Sequence, residues 1–369
     1  MGCLTWKYQV LCVLSLLFLH SPSSLSSFLS SDSQCSALLQ FNNSLSLECS
    51  AFRSPYYRSG SNAQLCETSY PKTASWKEDK HCCSWDGVEC DKNTGRVIGL
   101  DLSYSRLKGA IDSNSTLFLL QHLRTLNLAG NDFYPSLLSS EFGQFKSLTY
   151  LNLSSSSFTG QIPSEISQLS SLVSLDLSYN HWLSIETPVW NNLTLLRELL
   201  LDSIDMSSIR PKSLMNLSSS LTTLSLSNCK LQGKLENSIL LLPSLQTLDL
   251  GSNPYLNGSL PKSNWSNSFL KFLDLSDIRF SDELPDSIGS LKSLKYLGLF
   301  FCNLSGIIPI SLGNLTQITH LDLSYNSFNG LLPSSLLNLP NLSTLLLGEN
   351  QLVGPIPNHF AIFSEFRHL

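Results

Sequence analysis

The chain has 369 residues, 42% of them hydrophobic, so it holds ample apolar material for a core and is long enough for one large domain or two ordinary ones. Charged residues make up 14%, and 23 Lys and Arg stand against 28 Asp and Glu, for a formal net charge of −5. This composition excludes an intrinsically disordered chain and the strongly basic surface that attracts nucleic acid or an anionic membrane.

The N-terminus has the pattern of a secretory signal. Lys7 precedes the apolar run VLCVLSLLFL at 10–19, which small and turn-forming residues follow. This run is too short to cross a bilayer as a helix, which favours a signal peptide in residues 1–30 over the alternative, an N-terminal membrane anchor. No later stretch reaches the roughly 18 unbroken apolar residues of a membrane span. The sequence therefore predicts a soluble mature product of the secretory pathway.

Six of the ten cysteines lie between positions 35 and 90. In an oxidising compartment such crowding indicates disulfides, whereas in the cytosol it would suggest metal ligands. Adjacent cysteines in CC at 82–83 do not easily bond to each other, and six cysteines allow fifteen connectivities. Short loops favour one of these, with the pairs Cys83–Cys90, Cys82–Cys35 and Cys49–Cys66.

Glycosylation sequons of the form N-x-S/T support the same compartment. One sequon arises easily by chance, but ten spread along the chain are harder to dismiss. We predict N-linked glycans at Asn42, Asn114, Asn152, Asn192, Asn216, Asn257, Asn264, Asn303, Asn314 and Asn341.

The rest of the chain repeats one pattern, L-x-x-L-x-L-x-x-N. It reads LVSLDLSYN at 172–180, LQTLDLGSN at 245–253 and ITHLDLSYN at 318–326, and its second leucine recurs every 24 to 26 residues. Pattern and period are those of a leucine-rich repeat. We number the repeats one to eleven by these leucines: Leu100, Leu126, Leu151, Leu175, Leu199, Leu224, Leu248, Leu273, Leu297, Leu321 and Leu345.

The repeat predicts an α/β solenoid, a superhelix with a parallel β-sheet on its concave side. Alternation places the leucines on one face of a short strand and the intervening residues on the other. Most repeats continue with F/L-x-G-x-I/L-P, as in FTGQIP at 158–163, and then with a helical-looking segment. Because no coil has a core of its own, stability must come from stacking.

The repeats occupy residues 97–365, and Phe366 and Leu369 have the spacing that opens a further one at 366–369. We therefore expect the chain to stop inside a repeat, as a fragment or a truncated product. An uncovered apolar edge on the last coil is a poor end for a solenoid, which agrees with this expectation.

Cys229 and Cys302 occupy the ninth pattern position, where an inward Asn amide would bond the backbone of adjacent coils. The two cysteines are three repeats apart, about 15 Å at the spacing of stacked strands, which exceeds the ~7 Å limit for a disulfide. We expect two buried, unpaired thiols in place of Asn.

The G-x-I/L-P segment and the period resemble the plant-specific class of leucine-rich repeats. ALLQF at 37–41, followed by SWKEDKHCCSWDGVECDKNTGRVIGLDLS at 75–103, is similar to the N-terminal cap of plant receptor-like proteins, especially the tomato leaf-mould resistance group. The resemblance covers essentially the whole mature chain and places the cap at 31–96. It implies an ectodomain outside the plasma membrane that binds a peptide or protein in defence or development, lacks a kinase, and signals with a receptor kinase adaptor or co-receptor.

Two alternatives stay open. One is a secreted protein similar to polygalacturonase inhibitors, which have a similar number of repeats but close with C-terminal cysteines, and no cysteine follows Cys302. The other is the ectodomain fragment of a leucine-rich-repeat receptor kinase. Plant receptor-like proteins usually also have many more repeats, a C-terminal cap, a membrane helix and a basic tail, none of which this sequence contains.

A ligand on the concave face must contact the outward positions around the strand leucines, and most of these are small or polar. Repeats eight to ten differ, because aromatic residues and two lysines replace hydroxyl groups there, a composition typical of interaction hot spots. We predict ligand contacts at Lys271, Phe272, Lys295, Tyr296, Phe300, Phe301 and His320. Repeat five offers a second cluster, Arg197, Glu198 and Asp202. The alternative is that the rings pack on each other or under a glycan at Asn303.

Other kinds of site have weaker support. The recurrent aspartates follow the ordinary LDLS consensus of the repeat, which favours a solvated structural face over a metal site. A glycan at Asn152 would obstruct the concave side of repeat three. We find no phosphate-binding loop, zinc-protease motif, nucleophile elbow or kinase signature, so the sequence predicts neither an enzyme nor a cofactor.

Overall fold

The structure, a computed structural model, describes residues 31–48, 70–262, 265 and 269–354. Several predicted features lie outside these residues. They are the signal peptide at 1–30, the pair Cys49–Cys66, the sequon at Asn264 and the opening of a further repeat at 366–369.

Short strands dominate the described chain. They are β1 (Ser46–Leu47), β2 (Val88–Cys90), β3 (Val97–Asp101), β4 (Leu107–Lys108), β5 (Thr125–Asn127), β6 (Tyr150–Asn152), β7 (Thr159–Gln161), β8 (Ser174–Asp176), β9 (Trp182–Ser184), β10 (Glu198–Leu200), β11 (Thr223–Ser225), β12 (Gln232–Lys234), β13 (Thr247–Asp249), β14 (Tyr255–Gly258), β15 (Phe272–Asp274), β16 (Arg279–Phe280), β17 (Tyr296–Gly298), β18 (Ser305–Ile307), β19 (His320–Asp322), β20 (Ser327–Leu331), β21 (Thr344–Leu346) and β22 (Gln351–Val353). The α-helices are α1 (Ser31–Asn43), α2 (Asn237–Leu240) and α3 (Ser334–Leu337).

Helix α1 and the cysteine-rich segment cover the first edge of the solenoid. The side chain of Gln34 accepts a hydrogen bond from the backbone N–H of Val97 at 2.9 Å, which fixes α1 against β3. Strand β2 pairs antiparallel with β3 and so ends the concave sheet on this side. Two disulfides hold the cap together, and they are the two that short loops favoured: Cys35–Cys82 and Cys83–Cys90.

Twelve strands form the concave sheet, in the order β2-β3-β5-β6-β8-β10-β11-β13-β15-β17-β19-β21. From β3 onward every pair is parallel and in register, leucine opposite leucine. The eleven strand leucines are all buried, with at most 4% exposure. The predicted spine is therefore continuous, and the predicted solenoid is confirmed. Each buried leucine contributes about 1.5–3 kcal/mol relative to exposure, and only the neighbouring coils provide that burial.

The return segments are mostly 3-10 helices, not the α-helices that their leucine spacing suggests. Only α2 and α3 have α-helical bonding among the described return segments. Runs of three to six residues complete few i to i−4 bonds, so the tighter 3-10 geometry prevails. The 3-10 helices of the described chain are Lys72–Ser75, Cys82–Ser84, Thr116–Leu119, Ser140–Gln144, Ser164–Gln168, Pro211–Asn216, Asp286–Ser290 and Ile310–Asn314.

Buried asparagines at the ninth pattern position connect the coils. The amide nitrogen of Asn253 donates to the carbonyls of Leu226 at 2.9 Å and Leu250 at 2.8 Å, in the preceding coil and its own. Its oxygen accepts from the N–H groups of Cys229 at 3.1 Å and Leu231 at 2.9 Å. One side chain thus satisfies backbone groups that would otherwise be buried and unpaired. Similar bridges form at Asn131, Asn180, Asn326 and Asn350.

The two cysteines at this position are free, buried thiols, as expected. Cys229 donates to the carbonyl of Leu201 and Cys302 to that of Leu275, both at 3.1 Å, in the preceding coil. The hydroxyl of Ser156 makes the same bond in repeat three. Burial raises the pKa of both thiols, that of Cys302 to about 12. They are therefore structural groups without the thiolate character of a reactive cysteine.

The residue just before the ladder position adopts a left-handed backbone in every repeat, with φ between 51° and 67°. Its N–H donates to a carbonyl of the next coil, as from Phe301 to Ser324 at 3.1 Å. Few residues other than Gly, Asn and Asp favour this conformation, so the position is not obvious from the sequence. These residues are Tyr104, Gly130, Ser155, Tyr179, Ser203, Asn228, Ser252, Asp277, Phe301, Tyr325 and Glu349.

We predict that Asn253→Ala lowers the free energy of unfolding by about 2–4 kcal/mol, because it leaves the buried N–H groups of Cys229 and Leu231 without their acceptor. Urea unfolding of the secreted chain, followed by circular dichroism, measures the change.

Cys229→Ser is the control, and it should cost less than about 1 kcal/mol because a serine already makes the equivalent bond at position 156. An Asn253→Ala protein as stable as the Cys229→Ser protein would contradict the role of the asparagine ladder in joining coils.

Candidate functional site

The outward face of the concave sheet has an ordered row of carboxylates just after the strand leucines. We call Asp101, Asp176, Asp249, Asp274 and Asp322 the acidic row. Each carboxylate accepts a hydrogen bond at 2.9–3.0 Å from the backbone N–H two residues later. The row therefore holds each strand in the turn that follows it. Within the described residues, the cluster with the spacing of metal ligands is Cys35, His81 and Cys82, and its two sulfurs are already joined in a disulfide.

Asp202 of repeat five departs from the predicted ligand role. It is only 8% exposed, and it sits two positions beyond the acidic row, where most repeats have a small residue. Its carboxylate accepts hydrogen bonds at 2.7 Å from the hydroxyl of Ser225 and from the N–H of Ser227 in the next repeat. The side chain is thus part of the structure. Arg197 and Glu198 remain exposed, so the second predicted cluster loses one of its three members.

Asp249 has the most perturbed carboxylate of the acidic row. Burial raises its pKa to about 6, and the nearby carboxylates of Asp274 and Asp202 add to the effect. The N–H of Gly251 opposes the shift by donating to Oδ1. Asp249 is therefore mostly ionised at neutral pH, but its charge is less favourable in the folded chain than in the unfolded one.

Three rings in consecutive repeats stack face to face on the concave side. Phe272 and Tyr296 lie 4.3 Å apart between ring centroids with planes at 11°, and Tyr296 and His320 lie 4.7 Å apart with planes at 7°. The register explains the stack, because the three are paired neighbours on β15, β17 and β19. We call them the ring ladder. Both faces of Tyr296 are covered by its two neighbours, so this ring offers only its edge to a ligand.

A second group of rings lies beyond the strands and is more open. Phe300 and Phe301 are 37% and 58% exposed, and Tyr325 is 49% exposed. Phe300 lies 6.1 Å from Phe301 and 5.1 Å from Tyr325 between centroids. We call these three the exposed ring cluster. The alternative prediction, that the rings pack on each other, describes the ring ladder. It does not describe the exposed ring cluster, whose rings remain largely open to solvent.

The predicted lysines flank the ring ladder on the opposite side from the acidic row. Lys271 and Lys295 are both exposed, and each directly precedes a ladder residue. The ammonium of Lys271 donates to the side chain of Gln246 at 2.8 Å. Along the strand direction the surface therefore runs from basic through aromatic to acidic.

The sequence reasoning missed Tyr325, because it looks like the consensus tyrosine of DLSYN. Only the left-handed turn brings it to Phe300. It also missed an exposed pair on the side of the solenoid, Tyr134 and Trp182, whose centroids are 5.4 Å apart. Their repeats lie two apart, so nothing in the linear pattern links them.

Most of the predicted glycan positions are open to solvent. Asn152 and Asn42 are half-buried, and Asn152 already donates to the hydroxyl of Tyr150 at 3.2 Å and accepts from Ser154. Seven are exposed: Asn114, Asn192, Asn216, Asn257, Asn303, Asn314 and Asn341.

Family sequence models match both parts of this architecture. The "Leucine rich repeat N-terminal domain" matches residues 67–91. The "Leucine Rich Repeat" matches 147–169, 220–242, 269–291, 293–315 and 317–339, and a further "Leucine Rich repeat" model matches 120–133. The chain belongs to the leucine-rich-repeat proteins.

Its relatives are receptor-like proteins of plants, so the resemblance inferred from the cap and the repeat is confirmed. The chain is 42% identical to Receptor-like protein 6 of Arabidopsis thaliana over 261 residues, which cover 67% of this chain and 25% of that protein. It is 39% identical to Receptor-like protein Cf-9 of Solanum pimpinellifolium over 283 residues, 75% of this chain and 31% of that one. The chain thus spans less than a third of the length of these relatives.

Solved structures of the same repeat class superpose on the fold. One is the leucine-rich-repeat ectodomain of the plant membrane receptor kinase GASSHO1/SCHENGEN3 from Arabidopsis thaliana in complex with CASPARIAN STRIP INTEGRITY FACTOR 2. Its TM-score is 0.60 at 28% identity, and the match covers 78% of this chain and 46% of that one. The PEPR1–AtPEP1 structure gives 0.65 at 30% identity, with 89% and 46% covered. Among the described residues, no helix has the length and apolarity to cross a bilayer.

The raised pKa of Asp249 predicts a pH-dependent stability. Its carboxylate binds a proton more tightly in the folded chain, with a pKa near 6 instead of 3.8, so folding stability should increase as pH falls through this window. Asp249→Asn keeps an acceptor for the N–H of Gly251 and removes the charge. We expect this variant to be about 1–3 kcal/mol more stable than the unsubstituted chain at neutral pH, and equally stable below about pH 4, in thermal unfolding.

Asp101→Ser, which removes the charge and, unlike Asn, creates no N-x-S sequon with Ser103, provides a control of opposite sign. Burial opposes ionisation there too, but hydrogen bonds from Lys72 and Ser103 outweigh it and lower the pKa of Asp101. This variant should lose stability at neutral pH. A loss of stability for Asp249→Asn as well would contradict the electrostatic account of the acidic row.

Proposed function

We propose that the chain is the recognition module of a plant cell-surface receptor-like protein, and that repeats eight to ten of its concave face bind an extracellular peptide or protein in defence or development signalling. The kinship with receptor-like proteins supports this class of function. So does the superposition on a receptor kinase ectodomain determined in complex with CASPARIAN STRIP INTEGRITY FACTOR 2.

The proposal rests on the exposed ring of Phe301. A bulky ring in a left-handed backbone, φ 53°, is strained by of order 1 kcal/mol, and 58% of the residue is exposed. The left-handed turn recurs in every repeat and serves the fold, but small residues occupy it in several repeats, so folding does not require the exposed ring of Phe301. Its neighbour Phe300 occupies a position where most other repeats have Ser, Gly or Ala. Unfavourable, solvent-exposed rings clustered on one face are what a binding hot spot requires.

The remaining parts of the proposal rest on kinship. A receptor-like protein has no kinase of its own, so signalling would require a receptor kinase adaptor or co-receptor. The location we propose is the extracellular face of the plasma membrane, reached through the secretory pathway. The disulfides of the cap are consistent with that route. A receptor kinase ectodomain is the second candidate, because such ectodomains share the fold at 28% identity, but the relatives at 42% identity are receptor-like proteins.

Phe301→Asn tests the patch directly. Because Asn tolerates the left-handed backbone, we expect the variant to be more stable by about 1 kcal/mol. We also expect it to bind at least about tenfold more weakly to peptides selected from a random-sequence display library on the unsubstituted secreted chain. Thermal unfolding and fluorescence anisotropy provide the two readouts.

Tyr179→Asn is the matched control, because Tyr179 has the same left-handed backbone, φ 59°, in repeat four. It should gain similar stability and keep the affinity. If Phe301→Asn and Phe300→Ala both leave the affinity of the selected peptides unchanged, the patch is not the binding surface.

A further inference from the structure

Negatively charged side chains of the acidic row lie beside the exposed ring cluster. Asp274 and Asp322 of the acidic row lie in the repeats on either side of Gly298, which occupies the same row in repeat nine. Gly298 has no side chain to separate the two aspartates. Its missing Cβ would lie 2.6 Å from Oδ1 of Asp274, so this carboxylate extends over the glycine.

Aromatic residues border this acidic position along the strand. The hydroxyl of Tyr296 lies 3.4 Å from Oδ2 of Asp274, and Phe300 follows Gly298 by two residues. Burial raises the pKa of Tyr296, and the carboxylates of Asp274 and Asp322 add to that effect, which places both negative charges near the ring.

Hydrogen bonds within the turns use only part of the acceptor capacity of these two carboxylates. The N–H of Ser276 donates to Oδ1 of Asp274, and both the N–H and the hydroxyl of Ser324 donate to Oδ1 of Asp322. The ion pairs formed between described residues are Lys72–Asp101, Lys108–Glu48, Lys230–Asp205 and Lys262–Asp282. None of them neutralises Asp274 or Asp322.

The nearest predicted cations lie on the other side of the ring ladder. Lys271 directly precedes β15, three residues before Asp274, a separation of about 10 Å between α-carbons in extended chain, with Phe272 between them. The open rings Phe300 and Phe301 follow the acidic row along the chain. The exposed apolar area and the uncompensated negative charge therefore occupy the same side of the patch.

From this complementarity we propose that the partner of the patch is a cationic peptide segment, in which an Arg or Lys lies next to an apolar side chain. The inference rests on the proposed function and specifies its ligand. The basic group lies between Asp274 and Asp322 above Gly298, where the two carboxylates favour a cation. The apolar neighbour covers the exposed ring cluster. Partial desolvation between the rings makes the charge pairing stronger than on an open surface.

The test uses three synthetic peptides of equal length with alternating Arg–Phe, Glu–Phe and Ser–Phe sequences. Fluorescence anisotropy measures their affinity for the full secreted chain. We expect the Arg–Phe peptide to bind most tightly, and its affinity to fall with added salt. Asp274→Ser and Asp322→Ser keep an oxygen acceptor for their turns and, unlike Asn, create no N-x-S sequon with Ser276 or Ser324. Each should weaken this peptide roughly tenfold and leave the Ser–Phe peptide unchanged.

Asp176→Ser is the matched control, because Asp176 makes the same kind of bond to Ser178 in repeat four, away from the patch. Equal losses for Asp176→Ser and Asp274→Ser would indicate nonspecific attraction and overturn the inference. If Phe300→Ala weakens all three peptides while Asp274→Ser and Asp322→Ser weaken none, the patch binds ligands but not through a cation. In that case the proposed function stands and the cationic ligand is wrong.

Discussion

Every feature of this protein depends on the burial of leucines between coils that have no interior of their own. One leucine from each of eleven successive strands lies opposite the next in register, from Leu100 to Leu345, and all are buried. A coil of about two dozen residues cannot exclude water from these side chains alone, so each coil is folded only because its neighbours are. The side-chain amides of the asparagine ladder add hydrogen bonds between neighbouring coils, and these bonds fix the spacing from one coil to the next.

The same architecture determines which surface is free for function. The acidic row and the hydroxyl-rich positions beside it stabilise turns. Asp202 also has a structural role, because it accepts hydrogen bonds from Ser225 and Ser227 of the next repeat. What remains variable is a set of outward positions that the fold does not need. In repeats eight to ten these positions carry rings that stack, as Phe272, Tyr296 and His320 do, or that stay open, as Phe300 and Phe301 do. Two adjacent open rings distinguish repeat nine, because most other repeats have Ser, Gly or Ala at the position of Phe300.

The sequence predicted the strands, the spine and Cys83–Cys90 well, because the period, the alternation and a short cysteine loop are local signals. Cys35–Cys82 spans 47 residues, and its prediction relied on the adjacent cysteines having different partners. The sequence also pointed to the unusual residues of repeats eight to ten. It did not predict the left-handed residue in each turn, since serine, tyrosine and phenylalanine rarely adopt that backbone. It misjudged Asp202, whose burial depends on partners a full repeat away, Ser225 and Ser227. The stacking of the ring ladder and the contact of Tyr325 with Phe300 likewise depend on the exact register between coils.

Hydroxyl-radical footprinting of the secreted chain, with and without saturating selected peptide, tests the central claim most directly, because it reads the solvent exposure of individual side chains. The account predicts strong oxidation of Phe301 and Tyr325 in the free chain, weak oxidation of Phe272, and loss of the Phe301 and Tyr325 signals on binding. Tyr104 and Tyr179, in equivalent turns of other repeats, should stay oxidised. Protection of those two tyrosines with Phe301 still oxidised would contradict the claim that repeats eight to ten form the recognition surface.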